Sequence, residues 1–374
     1  MQFLQEDKEK NRRRTVIIAV AAVIVILLIL LITGVIGGGS RRVSAVKLRC
    51  AATQAIMPFG DSVLFYDGTS LVCLSSNNSE RWSYAVGSDA SFDARNGTVV
   101  VWSGTQLSIL DKNGRSTYDD NIGDSIQFAR AGEKYVAVVL GNDSAAGEQS
   151  TLRVLNLQGD QKDVEVAAYQ DKLILDVGFF GNGEYLWSTA MDLYGTVPST
   201  TLNTYQVGVM TIGSVDLGDT VTYKMLYAGN KLHAISTRQL RVYDYRGTID
   251  STGTLLVYGW QLIDEGEQNG NAMMLFAPTR QTAEMTDLTE LRYLSGKTDK
   301  RFTLPDACVG AALHGRRIYA FSADSIYRAD LSAQRFSAVS LPSSIGGATG
   351  YLGMLDNGVA LLSSDLDVFA VTLP

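Results

Sequence analysis

Histidine is nearly absent from this chain: 374 residues hold only two, His233 and His314. Cysteine is almost as scarce, with Cys50, Cys73 and Cys308 far apart and no CxxC pair. That scarcity leaves no His/Cys cluster with zinc spacing and no thioredoxin-type motif. A D-x-[DN]-x-[DN]-G calcium loop is also missing, and so is the Gly-x-Ser-x-Gly of a nucleophile elbow. Each histidine falls in or beside an inner strand of a different repeat, the setting of a structural side chain rather than a ligand or base. For the cysteines, one disulfide and three small buried residues in strands are both compatible with the spacing. Cys50 is not a lipidation site, because Lys47-Leu48-Arg49 precedes it where small and apolar residues are needed. Helical periodicity is missing too, outside one segment.

That segment is the long hydrophobic run. Asn11-Arg12-Arg13-Arg14 leads into 15–36, 22 residues without a charge, and Gly37-Gly38-Gly39 follows. As a helix the run would span ~33 Å, enough to cross a hydrocarbon core of ~30 Å. It exceeds the ~7–15 residues of a signal-peptide core, and no small-residue cleavage site follows. The reading is an uncleaved signal anchor over 15–36, with a tail over 1–14 and a linker over 37–42. The arginine triplet abuts the run, and a large downstream domain translocates largely regardless of its charge. The tail is therefore expected in the cytoplasm and residues 43–374 outside the plasma membrane, with the bilayer as partner of 15–36.

Basic residues are outnumbered, 32 against 39. The tail holds five of the basic residues and three of the acidic ones, which leaves the remainder nine charges negative. Nucleic acid, anionic lipid and anionic wall polymers call for a basic face and are poor principal partners for such a domain.

What the sequence does have is a repeat. Apolar segments recur at Ser62–Tyr66, Thr98–Trp102, Tyr135–Val139, Tyr185–Trp187, Leu232–Ile235, Met273–Phe276, Ile318–Phe321 and Val359–Leu362. Their spacing averages about 42 residues, that of a four-stranded propeller blade. A second alternating strand follows each, as in Gln106–Asp111, Thr151–Asn156 and Gln239–Asp244, and then a turn such as Lys112-Asn113-Gly114 or Tyr245-Arg246-Gly247. Glycine at that point supplies a positive φ without steric cost. The expected fold is an all-β propeller with one N-terminal transmembrane helix. Eight units begin near Gln54, Ala90, Ser125, Lys172, Thr220, Gly259, Ala307 and Gly346; seven is the alternative if two weak units merge. The last unit is one strand short, and residues 43–50 are left over at the other end. Pairing the two would close the ring and remove its open edges.

In such a ring each blade runs from strand A at the centre to strand D at the rim. A–B and C–D turns share one face, here the turn face; B–C and D–A connections share the other, the connection face. If 43–50 is an outermost strand, the chain enters from the turn face, which then looks at the membrane. The three longest insertions, Gly141 to Ser150, Met191 to Thr201 and Pro278 to Thr289, read as B–C loops displayed together on the distal face, where binding commonly resides. Asp143, Glu148, Asp192, Tyr194, Arg280, Glu284 and Asp287 are the candidate contact residues there. Their carboxylates could in principle serve acid–base chemistry on a glycan, which needs two at a defined separation; solvation of irregular loops is the plainer reading. Trp82, Trp102, Trp187 and Trp260 are expected to pack blades.

The stretch from Leu74 to Gly87, with Trp82 after a turn and a glycine a few residues on, resembles a quinoprotein-type propeller repeat. Ser116-Thr117-Tyr118 and Ile249-Asp250-Ser251 occupy the corresponding place in other repeats. The same superfamily includes the non-catalytic propeller of the outer-membrane assembly lipoprotein. The full layout, with Asp244-Tyr245-Arg246-Gly247, is similar to an uncharacterised family of membrane-anchored propellers from Gram-positive bacteria. The resemblance implies a fold and an address without an activity. An adjacent cysteine pair, a repeated tryptophan motif and a calcium ligand set, expected of a quinone-dependent dehydrogenase, are missing here. The expected function is a non-enzymatic scaffold for a protein or envelope ligand, with no cofactor and no metal. An enzyme, quinone-dependent or glycan-active, and a sensory subunit with a transmembrane partner are the alternatives.

Overall fold

The computed structural model describes residues 43–142, 149–165, 169, 172–180, 183–192, 195–279 and 287–374. The tail, the hydrophobic run and the glycine linker lie outside the described residues. Among the described residues no helix is long and apolar enough to cross a membrane.

The strands of the described residues form eight four-stranded antiparallel sheets. They are the blades of a propeller: 56–85, 91–121, 125–165, 172–218, 222–256, 260–308, 310–340, and 350–372 together with 45–51. Eight blades, not seven, is the count. In the last blade Ala45–Ala51 forms the outermost strand, antiparallel to Asp367–Thr372 with Ala45 opposite Val371. Leu48 and Cys50 of that strand pack with Val63, Val72, Leu361 and Val368, so this seam between blades eight and one has a core like the others.

No single central core exists. Apolar layers lie between consecutive blades, such as Val100, Ile109, Ala129, Val136 and Val138 between blades two and three. Each B strand is covered on both faces, which is why Val63-Leu64-Phe65 and Val99-Val100-Val101 read as unbroken apolar runs and are fully buried. Rim strands have one wet face and alternate, as Glu80–Ala85 does.

The C–D turns repeat one local design. Asp111, Asn156 and Asp244 each accept, through one side-chain oxygen, the N–H groups two and four residues on, at 2.8–3.0 Å. The fourth residue is Gly114, Gly159 or Gly247, at φ +75°, +85° and +78°. Glycine is needed there for a second reason. Trp82 of blade one reaches the turn of blade two, donating from Nε1 to the Lys112 carbonyl at 3.1 Å, and a Cβ on Gly114 would overlap its ring. Tyr118 lies in the same way against Gly159, and Val215 against Gly247. At these three junctions a rim residue thus docks on the next blade's glycine, and at the first of the three it is tryptophan.

The A strands carry a second recurrent device. Register shifts occur between Ile126 and Phe128, Ile174 and Asp176, Thr222 and Lys224, Leu262 and Asp264, and Tyr351 and Gly353. A bulge inserts one residue and re-aims its neighbours. Here it places Asp176, Lys224 and Asp264, each immediately after the shift, on the wall of the central channel.

Candidate binding site

Charge on the channel wall is paired blade to blade. Arg130 Nε lies 3.1 Å from Asp176 Oδ1, and Lys224 Nζ lies 3.0 Å from Glu265 Oε1. Two further carboxyls bridge backbones: Asp93 Oδ2 accepts from the Ala131 N–H at 2.7 Å, and Asp264 Oδ2 from the Leu313 N–H at 2.6 Å. Burial raises both above the usual carboxylate range, Asp264 to about 6, although these hydrogen bonds oppose the shift. A cavity of about 800 Å³ on this wall takes in Asp264, Glu265, Glu267, His314 and Asp356. Among the described residues no group of three or more His, Cys, Asp or Glu is placed to hold a metal. The channel acids are largely engaged in tying blades together.

The histidines stand apart from each other. His314 ends the A strand of blade seven, and His233 lies in the B strand of blade five, opposite Leu226 of the A strand. Burial lowers the pKa of His233 and so favours the neutral ring. Cys50, Cys73 and Cys308 are free and buried, and burial pushes their thiols up, Cys50 to about 11 and Cys308 to about 12.

The three long insertions join B strands to C strands in blades three, four and six. The strands run further into two of them than the composition suggests, with Asn142 opposite Gln149 and Asp192 opposite Ser199. Of the candidate contact residues, Asp143, Glu148, Tyr194, Arg280 and Glu284 lie outside the described residues. Asp192 ends the B strand of blade four and is half-buried; Asp287 is exposed, just before the C strand Leu288–Ser295 of blade six.

The connection face also carries a cleft that no sequence motif announces. It has a volume of about 690 Å³ between blades five and six, lined by Tyr223, Thr237, Tyr258, Trp260, Pro278 and Thr279 among others. Tyr258 is 79% exposed, Leu256 75%, Val221 47% and Tyr223 41%. They come from the two D–A connections flanking blade five, from the end of its D strand and from its A-strand bulge. The Tyr223 hydroxyl accepts the Leu262 N–H at 3.0 Å, which fixes that ring across the blade boundary. Trp260, 9% exposed, forms the floor and takes Arg301 at 5.3 Å from its ring centroid. The long B–C connection of blade six leaves this cleft at Pro278-Thr279. The signal available in the sequence was Tyr258-Gly259-Trp260, an aromatic in a connection directly before the tryptophan that begins the A strand of blade six.

The arrangement suits binding: an apolar cleft, open to solvent, in which the Tyr223 ring is held by the Leu262 N–H. The molecule is an eight-bladed β-propeller, and solved structures bear this out. BamB from Moraxella catarrhalis matches at 14% identity over 88% of this chain and 96% of its own, with a TM-score of 0.51. Sqt1 from Saccharomyces cerevisiae matches at 11% identity over 88% and 96%, with a TM-score of 0.56. The WD40 domain of SCAP from fission yeast matches at 10% identity over 88% and 98%, with a TM-score of 0.55. At these identities the likeness carries the fold alone. No protein-family model matches the sequence, and no curated protein does.

Proposed function

We propose that this propeller is a non-enzymatic scaffold that binds a protein partner through its connection face. The observation that carries the reading is the exposed aromatic and aliphatic cluster of Tyr223, Leu256 and Tyr258 around the cleft between blades five and six. Apolar side chains so exposed and so grouped are typical of a protein-interaction surface, and tyrosine over a tryptophan floor is the composition of interface anchors. In this proposal residues 15–36 anchor the chain in the plasma membrane, the tail is cytoplasmic, and the ring lies outside the cell, as in the family of Gram-positive membrane-anchored propellers that the layout resembles. The chain enters the ring at Ser44, whose N–H donates to Thr372 Oγ1 at 2.9 Å on the turn face.

Two substitutions test the partner surface. Leu256→Asp and Tyr258→Asp should each abolish recovery of a partner crosslinked in intact membranes, whereas Val209→Asp, at an exposed C–D turn on the other face, should leave it unchanged. Equal recovery from all three would refute the assignment. The address is tested with Tyr258→Cys in whole cells: a membrane-impermeant maleimide should label it, because the three native thiols are buried.

A further inference from the structure

A second cavity, of about 570 Å³, opens on the turn face where blades four, five and six meet. Four aromatic rings line it: Phe180, just after the A strand of blade four, Tyr185, which begins its B strand, Tyr227, near the end of the A strand of blade five, and Tyr245 in the C–D turn of that blade. The rings meet at steep angles. Phe180 lies edge-to-face with Tyr227 at 5.1 Å and 85°, and with Tyr185 at 6.1 Å and 88°; Tyr185 is tilted by 49° against Tyr245 at 6.0 Å. Blade six closes the other side. Gly229, at φ +58°, is so near that turn that an added Cβ would overlap the Gly270 carbonyl oxygen. From the same blade Glu267, an exposed residue that also borders the channel cavity, lines the site and has no ion pair among the described residues.

Three features narrow the ligand. Phe180, only 4% exposed, backs the tyrosines, so the wall is a set of mutually inclined rings rather than the single flat platform that a sugar ring stacks on. Aromatic faces are negative, and the remaining charge on the wall is the Glu267 carboxylate, so both point to a cation. Tyr245 already has this behaviour: the Arg246 guanidinium lies 5.2 Å from its centroid, with Nε donating to the hydroxyl at 2.8 Å, and Arg246 itself does not line the cavity. A purely apolar guest would gain nothing from Glu267, and an anion would be repelled by it.

We propose that this cavity binds a quaternary ammonium group, the trimethylammonium head of a choline- or betaine-type molecule. Such a cation is too weakly hydrated to prefer water strongly, has no N–H to satisfy, and meets inclined rings with methyl groups that carry its charge. The site is separate from the partner surface, and failure of that assignment leaves this one standing.

The test is titration of the full-length chain, in a nonionic detergent free of choline, by calorimetry and saturation-transfer NMR. The probes are choline, glycerophosphocholine and 3,3-dimethylbutan-1-ol, the uncharged analogue of choline. Choline is expected to bind with a Kd of about millimolar order, typical of so small a ligand in an open site. Tyr245→Leu and Glu267→Gln, both at exposed positions, should each weaken it about two- to fivefold without lowering the melting temperature. Choline binding without glycerophosphocholine binding would indicate a free cation, and binding of both a headgroup source. Equal binding of the uncharged analogue, retention of affinity in both variants, or no binding of either cation at tens of millimolar (about tenfold above the expected Kd) would overturn the proposal.

Discussion

Replacing Asp264 by asparagine should make the protein more stable at neutral pH, against the usual expectation for a buried hydrogen-bonded residue. Asp264 follows the bulge in the A strand of blade six, and its Oδ2 takes the Leu313 N–H across the blade boundary. Its pKa rises from 3.8 to about 6, with burial the largest cause and Glu265 adding to it. Lys224, the nearby cation, is paired with Glu265. A raised carboxyl pKa means that the folded state holds the proton more tightly than the unfolded chain. The folded protein is therefore not penalised by this group below about pH 4, and the cost of ionising it grows as pH rises to about 6 and is complete above that. Roughly two pKa units correspond to ~3 kcal/mol at most, and partial solvent access reduces this to about 1–2 kcal/mol. Asparagine keeps an acceptor for Leu313 and does not titrate. Urea unfolding of wild type and Asp264→Asn at pH 7.5 and pH 4 should give a stability difference that moves in the variant's favour by about 1–2 kcal/mol at the higher pH. A difference that is independent of pH, or that moves the other way, would show that the ionised carboxylate is a net stabiliser and that the burial argument is wrong.

Other consequences concern the frame. Gly159→Ala forces a positive φ on alanine and drives its Cβ into the Tyr118 ring, so it should cost about 1–3 kcal/mol from strain alone; adding Tyr118→Ala should recover part of the loss, a non-additivity that thermal unfolding can measure. Leu48→Ala hollows the seam between blades eight and one and should cost about 2–5 kcal/mol. Lys47→Ala, which removes only the exposed Lys47–Asp367 pair from the same strand, should cost less than about 1 kcal/mol. Maleimide at pH 8 should leave the folded protein unmodified over minutes and label three thiols after unfolding, and any disulfide would lower that count.

The propeller was legible because its grammar is local. An unbroken apolar run for a strand covered on both sides, an alternating strand, and an Asp/Asn-x-x-Gly turn are each decided within a few residues, and their recurrence gives eight blades. The junctions were less legible. Trp82 is recognisable by its residue type, but Tyr118 and Val215 fill the same role with different side chains, and only their position against Gly159 and Gly247 identifies them. The A-strand bulges left no pattern, since a register shift is set by the pairing with the B strand and not by composition. The long B–C insertions carry the candidate contact residues of the sequence, most of which lie outside the described residues. The cleft is assembled from Tyr223, Thr237, Tyr258 and Pro278, which belong to four separate segments, and proximity of that kind is a product of how two consecutive blades pack.

The most direct test of the account is site-specific photocrosslinking in intact membranes from position 258 on the connection face, with position 209 on the turn face as the comparison. The account predicts one reproducible protein adduct from 258 and none of that mass from 209. The same adduct from both positions, or adducts from 209 alone, would contradict binding through the cleft between blades five and six.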